Sequence, residues 1–122
     1  MQIKKKICFD IDGVICKVQK NNDYKKSKPI KKNIQFINKI PRNKYKIILF
    51  TSRFMGRTKG SKKKAAEIGY NFTKIQLKKW KLKYDKLIMG KPSYDLIIDD
   101  KSLSFKKNWI GELKIKLKKE NF

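Results

Sequence analysis

Residues 7–14, Ile7-Cys8-Phe9-Asp10-Ile11-Asp12-Gly13-Val14, form a short apolar run that ends in two aspartates and a glycine. A second run, Tyr94-Asp95-Leu96-Ile97-Ile98-Asp99-Asp100, ends in another pair of aspartates. Such runs are typical of buried parallel strands, whose carboxyl ends face the ligand crevice of an open α/β sheet. Carboxylates gathered there repel one another unless a cation joins them. The two pairs therefore predict a divalent metal site.

The size of the chain predicts one domain. Its 122 residues are enough for a sheet with helices on it but not for two cores, so we assign residues 1–122 to a single domain. No stretch approaches the roughly 18 apolar residues of a membrane span, and the first residues lack a signal-peptide core. We therefore expect a cytoplasmic protein without membrane insertion, in which Cys8 and Cys16 are ordinary thiols.

The charge of the chain points to anionic partners. The formal net charge is +24, so nucleic acid is one candidate partner. However, only Arg42, Arg53 and Arg57 of the 34 basic residues are arginine, which nucleic-acid surfaces use for bidentate and stacking contacts. Lysines scattered along the whole chain are explained at least as well by biased composition. The absence of histidine excludes a His-ligated zinc site and a histidine general base.

Alternating strand and helix patterns predict an α/β fold with a Rossmann-like, doubly wound parallel sheet. The predicted strands cover residues 3–9, 45–50, 87–89 and 96–98. Residues 13–28 are predicted as a polar loop or small hairpin. The predicted helices cover 29–40, 61–68 with Gly69 as its end, a segment that begins at Thr73, and 110–119, for which an edge strand is the alternative.

The chain resembles the haloacid dehalogenase (HAD) superfamily of phosphotransferases. The resemblance rests on Asp10-x-Asp12-Gly13, Thr51 after an apolar strand, Lys91, and Asp99-Asp100 after another strand, which are the four family motifs in order. It implies a HAD-like fold and a phosphatase that forms an aspartyl-phosphate intermediate. The connections between the motifs are little longer than one strand–helix–strand unit of about 30 residues, so no cap domain is expected.

The resemblance implies a metal site and two catalytic carboxylates. Asp10 would be the nucleophile, as carboxylates can be, and Asp12 would protonate the leaving oxygen and then activate water. An Asp10 oxygen, the Asp12 carbonyl, and Asp99 or Asp100 would hold Mg²⁺, which prefers oxygen ligands. Taken separately, Asp12 could instead cap a turn before Gly13, and the Asp99-Asp100 pair could cap a helix.

Further residues are assigned to substrate by the same resemblance. Thr51 and the N–H of Ser52 would bind phosphate oxygens, and Lys91 would place a positive charge between nucleophile and phosphate. Arg53 and Lys101 are candidates for other substrate contacts.

A finer resemblance connects the chain to short phosphatases of bacterial capsular or other surface polysaccharide synthesis. It covers Phe50–Arg57, Gln76–Trp80 and Gly90–Lys101, although Ser52 stands where many relatives have alanine. It implies a sugar phosphate or related anionic metabolite as substrate, and a homo-oligomer is possible because some capless members close their site with a neighbouring subunit. The alternatives are a polynucleotide end phosphatase and a catalytically inactive HAD-fold protein that binds nucleic acid or another anion.

Overall fold

The structure, a computed structural model, describes residues 3–119. Strands and helices alternate along the chain, as the sequence predicts. Two short 3₁₀ turns lie between the first strand and the first helix, at Lys20–Asn22 and Tyr24–Lys26. The elements are β1 (Lys5–Phe9), α1 (Lys31–Lys39), β2 (Tyr45–Thr51), α2 (Lys62–Lys79), β3 (Lys86–Met89) and α3 (Trp109–Lys119).

The three strands form a parallel sheet in the order β1-β2-β3. Phe9 is paired with Leu49, and Leu49 with Leu87, so these three side chains lie on one face of the sheet. Alternate residues of β2 are buried, because successive side chains of a strand point to opposite faces. The apolar side chains on this face of the sheet therefore form one side of the hydrophobic core.

All three helices contribute to the core over that face. The Trp109 ring of α3 meets Phe9 edge-on at 6.1 Å and the Phe36 ring of α1 at 5.6 Å. In α2, a Cβ added at Gly69 would lie 3.0 Å from the Met89 side chain. Both strand–helix–strand connections step in the same direction across the sheet, and right-handed connections then place α1 and α2 on the same face.

The other face of the sheet is only partly covered. Cys8 is exposed, and Ile48, Phe50 and Ile88 are half-buried. The predicted parallel sheet with helices is confirmed and is consistent with a Rossmann-like α/β fold. The second layer of helices that a doubly wound sheet requires is not present among residues 3–119, since strands are added on one side of β1 only.

The predicted fourth strand at 96–98 is wrong. Leu96 is 80% exposed and Ile98 is 93% exposed, and this segment pairs with none of the strands in residues 3–119. A strand needs a neighbour that satisfies its N–H and C=O groups. Within the described residues β1 pairs with β2 alone, and the run at 96–98 does not occupy the open edge of β1, so its backbone groups lack the partners of a strand.

The two helices predicted over 61–68 and from Thr73 are one continuous helix, α2. Gly69 does not end this helix but lies inside it. The Phe54 ring packs against Gly69 so closely that a Cβ at this position would collide with the ring. Thr73 is buried inside the helix rather than capping it. The N-cap is Ser61, whose hydroxyl accepts from the Lys64 N–H at 3.2 Å. The prediction of a helix over 110–119 is confirmed by α3.

Candidate active site

Residues from three of the four motifs meet at the carboxyl edge of the sheet. Asp10 follows β1, Thr51 ends β2, and Lys91 comes two residues after β3. The Lys91 N–H donates to the Thr51 carbonyl at 3.1 Å, which extends the pairing of the two strands. The Lys91 ammonium lies 3.4 Å from an oxygen of Asp10. A carboxylate and a cation are thus juxtaposed where parallel strands end.

The Asp10 carboxylate remains accessible beside Lys91. Its side chain is 35% exposed, against 15% for Lys91, and its Oδ1 accepts from the Ile11 N–H at 2.8 Å. Burial lowers the pKa of Lys91, but the Tyr94 hydroxyl and the Asp10 carboxylate outweigh it, so the net shift of the Lys91 pKa is upward. Lys91 is therefore an ammonium at neutral pH.

Asp12 is held by a buried arginine. Arg53 donates from Nε to Asp12 Oδ2 at 2.9 Å and from a terminal nitrogen to Oδ1 at 3.0 Å, which is bidentate pairing. The Arg53 side chain is 0% exposed and that of Asp12 is 23% exposed. Arg53 is a predicted candidate for substrate contact, whereas in the structure its guanidinium donates to Asp12 and Gln76.

Three further residues complete this cluster, and the sequence analysis did not assign them. Arg53 donates to the Gln76 side-chain carbonyl at 2.6 Å, and the Gln76 amide donates to the Tyr24 carbonyl at 2.8 Å. The Cys16 thiol lies 3.3 Å from Asp12 Oδ1. Gln76 belongs to one of the stretches that carry the finer resemblance, whereas no periodic pattern marks a tyrosine within an irregular loop.

Thr51 and Ser52 form the turn that follows β2. Thr51 is fully buried, and its hydroxyl oxygen accepts from the Arg53 N–H at 3.1 Å. Ser52 is half-buried at the same turn. The Thr51 hydroxyl therefore fixes the turn that directs Arg53 inward, while Ser52 retains access to solvent.

The remaining predicted residues lie apart from this cluster. Asp99, Asp100 and Lys101 are exposed, and Asp99 accepts from the Lys101 N–H at 2.9 Å. Within residues 3–119, no three His, Cys, Asp or Glu side chains are grouped closely enough to hold a metal ion. Asp10 and Asp12 each face a cation instead. In this arrangement the four predicted ligands are not gathered into one set of oxygen ligands for Mg²⁺.

Asp10 lines neither of two concave surfaces of the molecule. A groove of about 1130 Å³ lies near the amino ends of β1 and β2, at the opposite end of the sheet, and is lined by Ile3, Lys4 and Tyr45 among others. A smaller depression of about 380 Å³, beside Gly60 and Pro92, is nearer to Lys91. We place the candidate site by its charged groups rather than by depth, because a phosphoryl group requires a nucleophile and cations.

No helix in the described part of the chain has both the length and the apolar character needed to cross a membrane.

Comparison with known proteins supports the fold. No family model matches the chain. No curated protein matches it either. A crystal structure of a Vibrio cholerae protein, solved as an MCSG target, superposes with a TM-score of 0.74 over 92% of this chain and 98% of that one, at 24% sequence identity. At this identity the likeness extends to the α/β fold.

Proposed function

We propose that the chain is a HAD-type phosphomonoester hydrolase in which Asp10 is the nucleophile. The observation that carries the proposal is the 3.4 Å approach of the Lys91 ammonium to a partly exposed Asp10 carboxylate at the carboxyl edge of a parallel sheet. A phosphate ester and an attacking carboxylate repel each other, so a cation beside them is required. The order of the four sequence motifs supports the same function.

In the proposed reaction an Asp10 oxygen attacks phosphorus, and the bond from phosphorus to the ester oxygen breaks. The leaving oxygen takes up a proton, and the phosphoryl group stays on Asp10. Water then attacks phosphorus and releases inorganic phosphate, which restores the Asp10 carboxylate. We assign both proton transfers to Asp12: its carboxyl group gives a proton to the leaving oxygen, and the resulting carboxylate takes one back from the attacking water, so the two transfers balance.

Magnesium belongs to the proposal through the sequence motifs. A bound Mg²⁺ would neutralise charge on the phosphoryl oxygens. Because the described arrangement does not bring Asp99 or Asp100 to Asp10, no step above depends on the ion. Turnover measured with Mg²⁺ and with EDTA tests this part: the sequence motifs predict loss of activity in EDTA, and unchanged activity would remove magnesium from the proposal.

For the substrate, we propose a sugar phosphate or a related anionic metabolite of polysaccharide synthesis. A second candidate is a polynucleotide end phosphatase, which the net charge of +24 favours. Phosphate release from sugar phosphates and from a 3′-phosphorylated oligonucleotide, measured side by side, distinguishes them. Turnover of the oligonucleotide alone would eliminate the sugar phosphate.

Substitution of the nucleophile tests the catalytic assignment. Asp10→Asn is expected to reduce kcat by about 10³-fold or more, because the amide cannot form the acyl phosphate. The matched control is Asp95→Asn, which changes an exposed aspartate by the same atoms. Circular dichroism verifies that both variants fold. Normal hydrolysis by folded Asp10→Asn would refute the assignment. Salt-sensitive nucleic-acid binding that survives Asp10→Asn, in a protein whose wild type shows no turnover, would favour the binding protein.

A further inference from the structure

The buried guanidinium of Arg53 has protein groups around it. Its Nε and one terminal nitrogen donate to Asp12, and the other terminal nitrogen donates to Gln76. Its carbon atom Cζ lies 4.7 Å from the centre of the Tyr24 ring. An enclosed arginine is tolerated only when its donors are paired in good geometry. This pairing leaves no face of the guanidinium directed at solvent.

The same guanidinium is connected to residues 20–26, which we name the cover segment. Gln76 joins Arg53 to the cover segment through the Tyr24 carbonyl. Arg57 holds the segment from outside: it lies 5.1 Å from the Tyr24 ring centre and donates to the Asn22 carbonyl. The Tyr24 ring also packs on Phe54 at 4.8 Å. The guanidinium groups of Arg53 and Arg57 therefore both lie within cation–π distance of the Tyr24 ring.

These contacts argue against a substrate contact for Arg53. An arginine that binds a phosphoryl group must present paired N–H groups to the incoming oxygens, whereas the Arg53 side chain is 0% exposed. A lysine could not replace it, since an ammonium is a point charge and cannot pair with both Asp12 oxygens in one plane.

We propose that Arg53 is a positioning residue for Asp12, and that the cover segment acts on Asp12 through Tyr24, Gln76 and Arg53. The kinetic part of this inference rests on the proposed hydrolase function. Bidentate pairing fixes the rotation of the Asp12 carboxylate relative to Asp10. Loss of that orientation slows the step that needs Asp12 without weakening substrate binding, because a small misplacement of a catalytic group is costly.

The kinetic test uses Arg53→Lys and Arg53→Gln, with Arg42→Lys as the matched control. Arg42 pairs with backbone carbonyls, among them that of Ile37 in α1, away from Asp12. Both Arg53 variants are expected to lose about 10²-fold in kcat with KM within about threefold, while the control keeps both values. A rise in KM at unchanged kcat would overturn the proposal, because it would make Arg53 a substrate contact.

A second test needs no turnover. The unfolding equilibrium is measured for Asp12→Asn, for Arg53→Lys and for the double variant. Lysine is chosen at position 53 because it retains the positive charge, so that the variants are expected to fold. A coupling of about tenfold in the unfolding constant is expected for the direct pair. Additive effects would overturn the positioning role. If the wild type hydrolysed no ester while the coupling was present, the proposed function alone would fail.

Limited trypsin digestion tests the cover segment. Lys25 and Lys26 are exposed cleavage sites within it. Tyr24→Ala is expected to speed cleavage there and to lower kcat, whereas the matched control Tyr70→Ala, which removes a 37% exposed ring in α2, should change neither. If Tyr24→Ala had the same cleavage rate and the same kcat as wild type, the proposal that the cover segment acts on Asp12 would be refuted.

Discussion

Burial has a strong effect on the pKa of the Cys16 thiol, which lies beside Asp12. Burial raises the pKa of the Cys16 thiol to about 12, with the Asp12 carboxylate adding to the shift and Arg53 opposing it. The group is consequently a thiol at neutral pH and can donate to Asp12 Oδ1 at 3.3 Å. It therefore supports the orientation of Asp12 without competing as a nucleophile.

Alkylation at about pH 8 tests this difference between the thiols. Cys8 is exposed, although burial raises its pKa also. Iodoacetamide is expected to modify Cys8 in the native protein and Cys16 only after denaturation. Mass spectrometry of peptides measures each adduct, and equal native rates would contradict the buried position of Cys16.

The raised pKa of Cys16 also predicts how the free energy of unfolding changes with pH. The folded value exceeds the unfolded value of 9.0, so the stabilising contribution is complete below pH 9.0 and is lost as pH rises toward about 12. The decline in the urea midpoint over this window should be smaller in Cys16→Ala than in wild type. An identical decline would show that other groups account for it.

The sequence predicts the position of a single site residue only where that residue follows the end of a strand. Asp10, Thr51 and Lys91 each follow a recognisable apolar strand, and parallel strands carry their carboxyl ends to one edge. Arg53 follows such a strand too, but its direction depends on a partner in a distant loop. Tyr24 lies in that loop, where no hydrophobic period exists to predict which way a side chain points.

At the scale of elements, an apolar run predicts that a segment can form a strand, but it does not predict whether the segment pairs with the sheet. The strands β1, β2 and β3 pair in parallel as predicted, although they are buried mainly on one face and Cys8 of β1 is exposed. The run at 96–98 has the same composition and no partner within the described residues. The apolar pattern of a segment indicates which side chains it can bury. Whether the segment pairs as a strand depends on the tertiary fold around it.

The segment at 96–98 gives a direct stability prediction. Ile98→Ala is expected to change the free energy of unfolding by less than about 0.5 kcal/mol, because the side chain is 93% exposed. The matched control Ile47→Ala, at 0% exposure in β2, should cost about 2–5 kcal/mol. Urea unfolding measures both. A loss at Ile98 comparable to that at Ile47 would indicate that the segment is a core strand in solution.

Local rules also misplaced a helix end. Glycine usually weakens a helix interior, by about 1 kcal/mol relative to alanine, and on that basis Gly69 was expected to end one. Inside α2 the missing Cβ admits the Phe54 ring instead. Close packing with a residue from the preceding loop outweighs propensity here, and such a contact is invisible in a local sequence window.

At the scale of the whole molecule, charge governs encounter with substrate. A net charge of +24 attracts anions over distances that salt shortens from about 30 Å at 0.01 M to about 3 Å at 1 M. For the proposed hydrolase, kcat/KM on a phosphate monoester should fall severalfold between these concentrations, with kcat nearly constant. Steady-state kinetics in KCl measures it, and a kcat/KM independent of salt would contradict attraction by the overall charge.

Among residues 3–119, no strand lies beside the outer edge of β1, and this has a consequence for handling the protein. An open strand edge is a template on which a second copy can add, and the charges of Lys4 and Lys6 near this edge oppose such association. Repulsion between cations weakens in concentrated electrolyte. Dilute buffers should therefore keep preparations monodisperse, whereas salting-out steps during purification invite fibrous precipitates that grow strand upon strand.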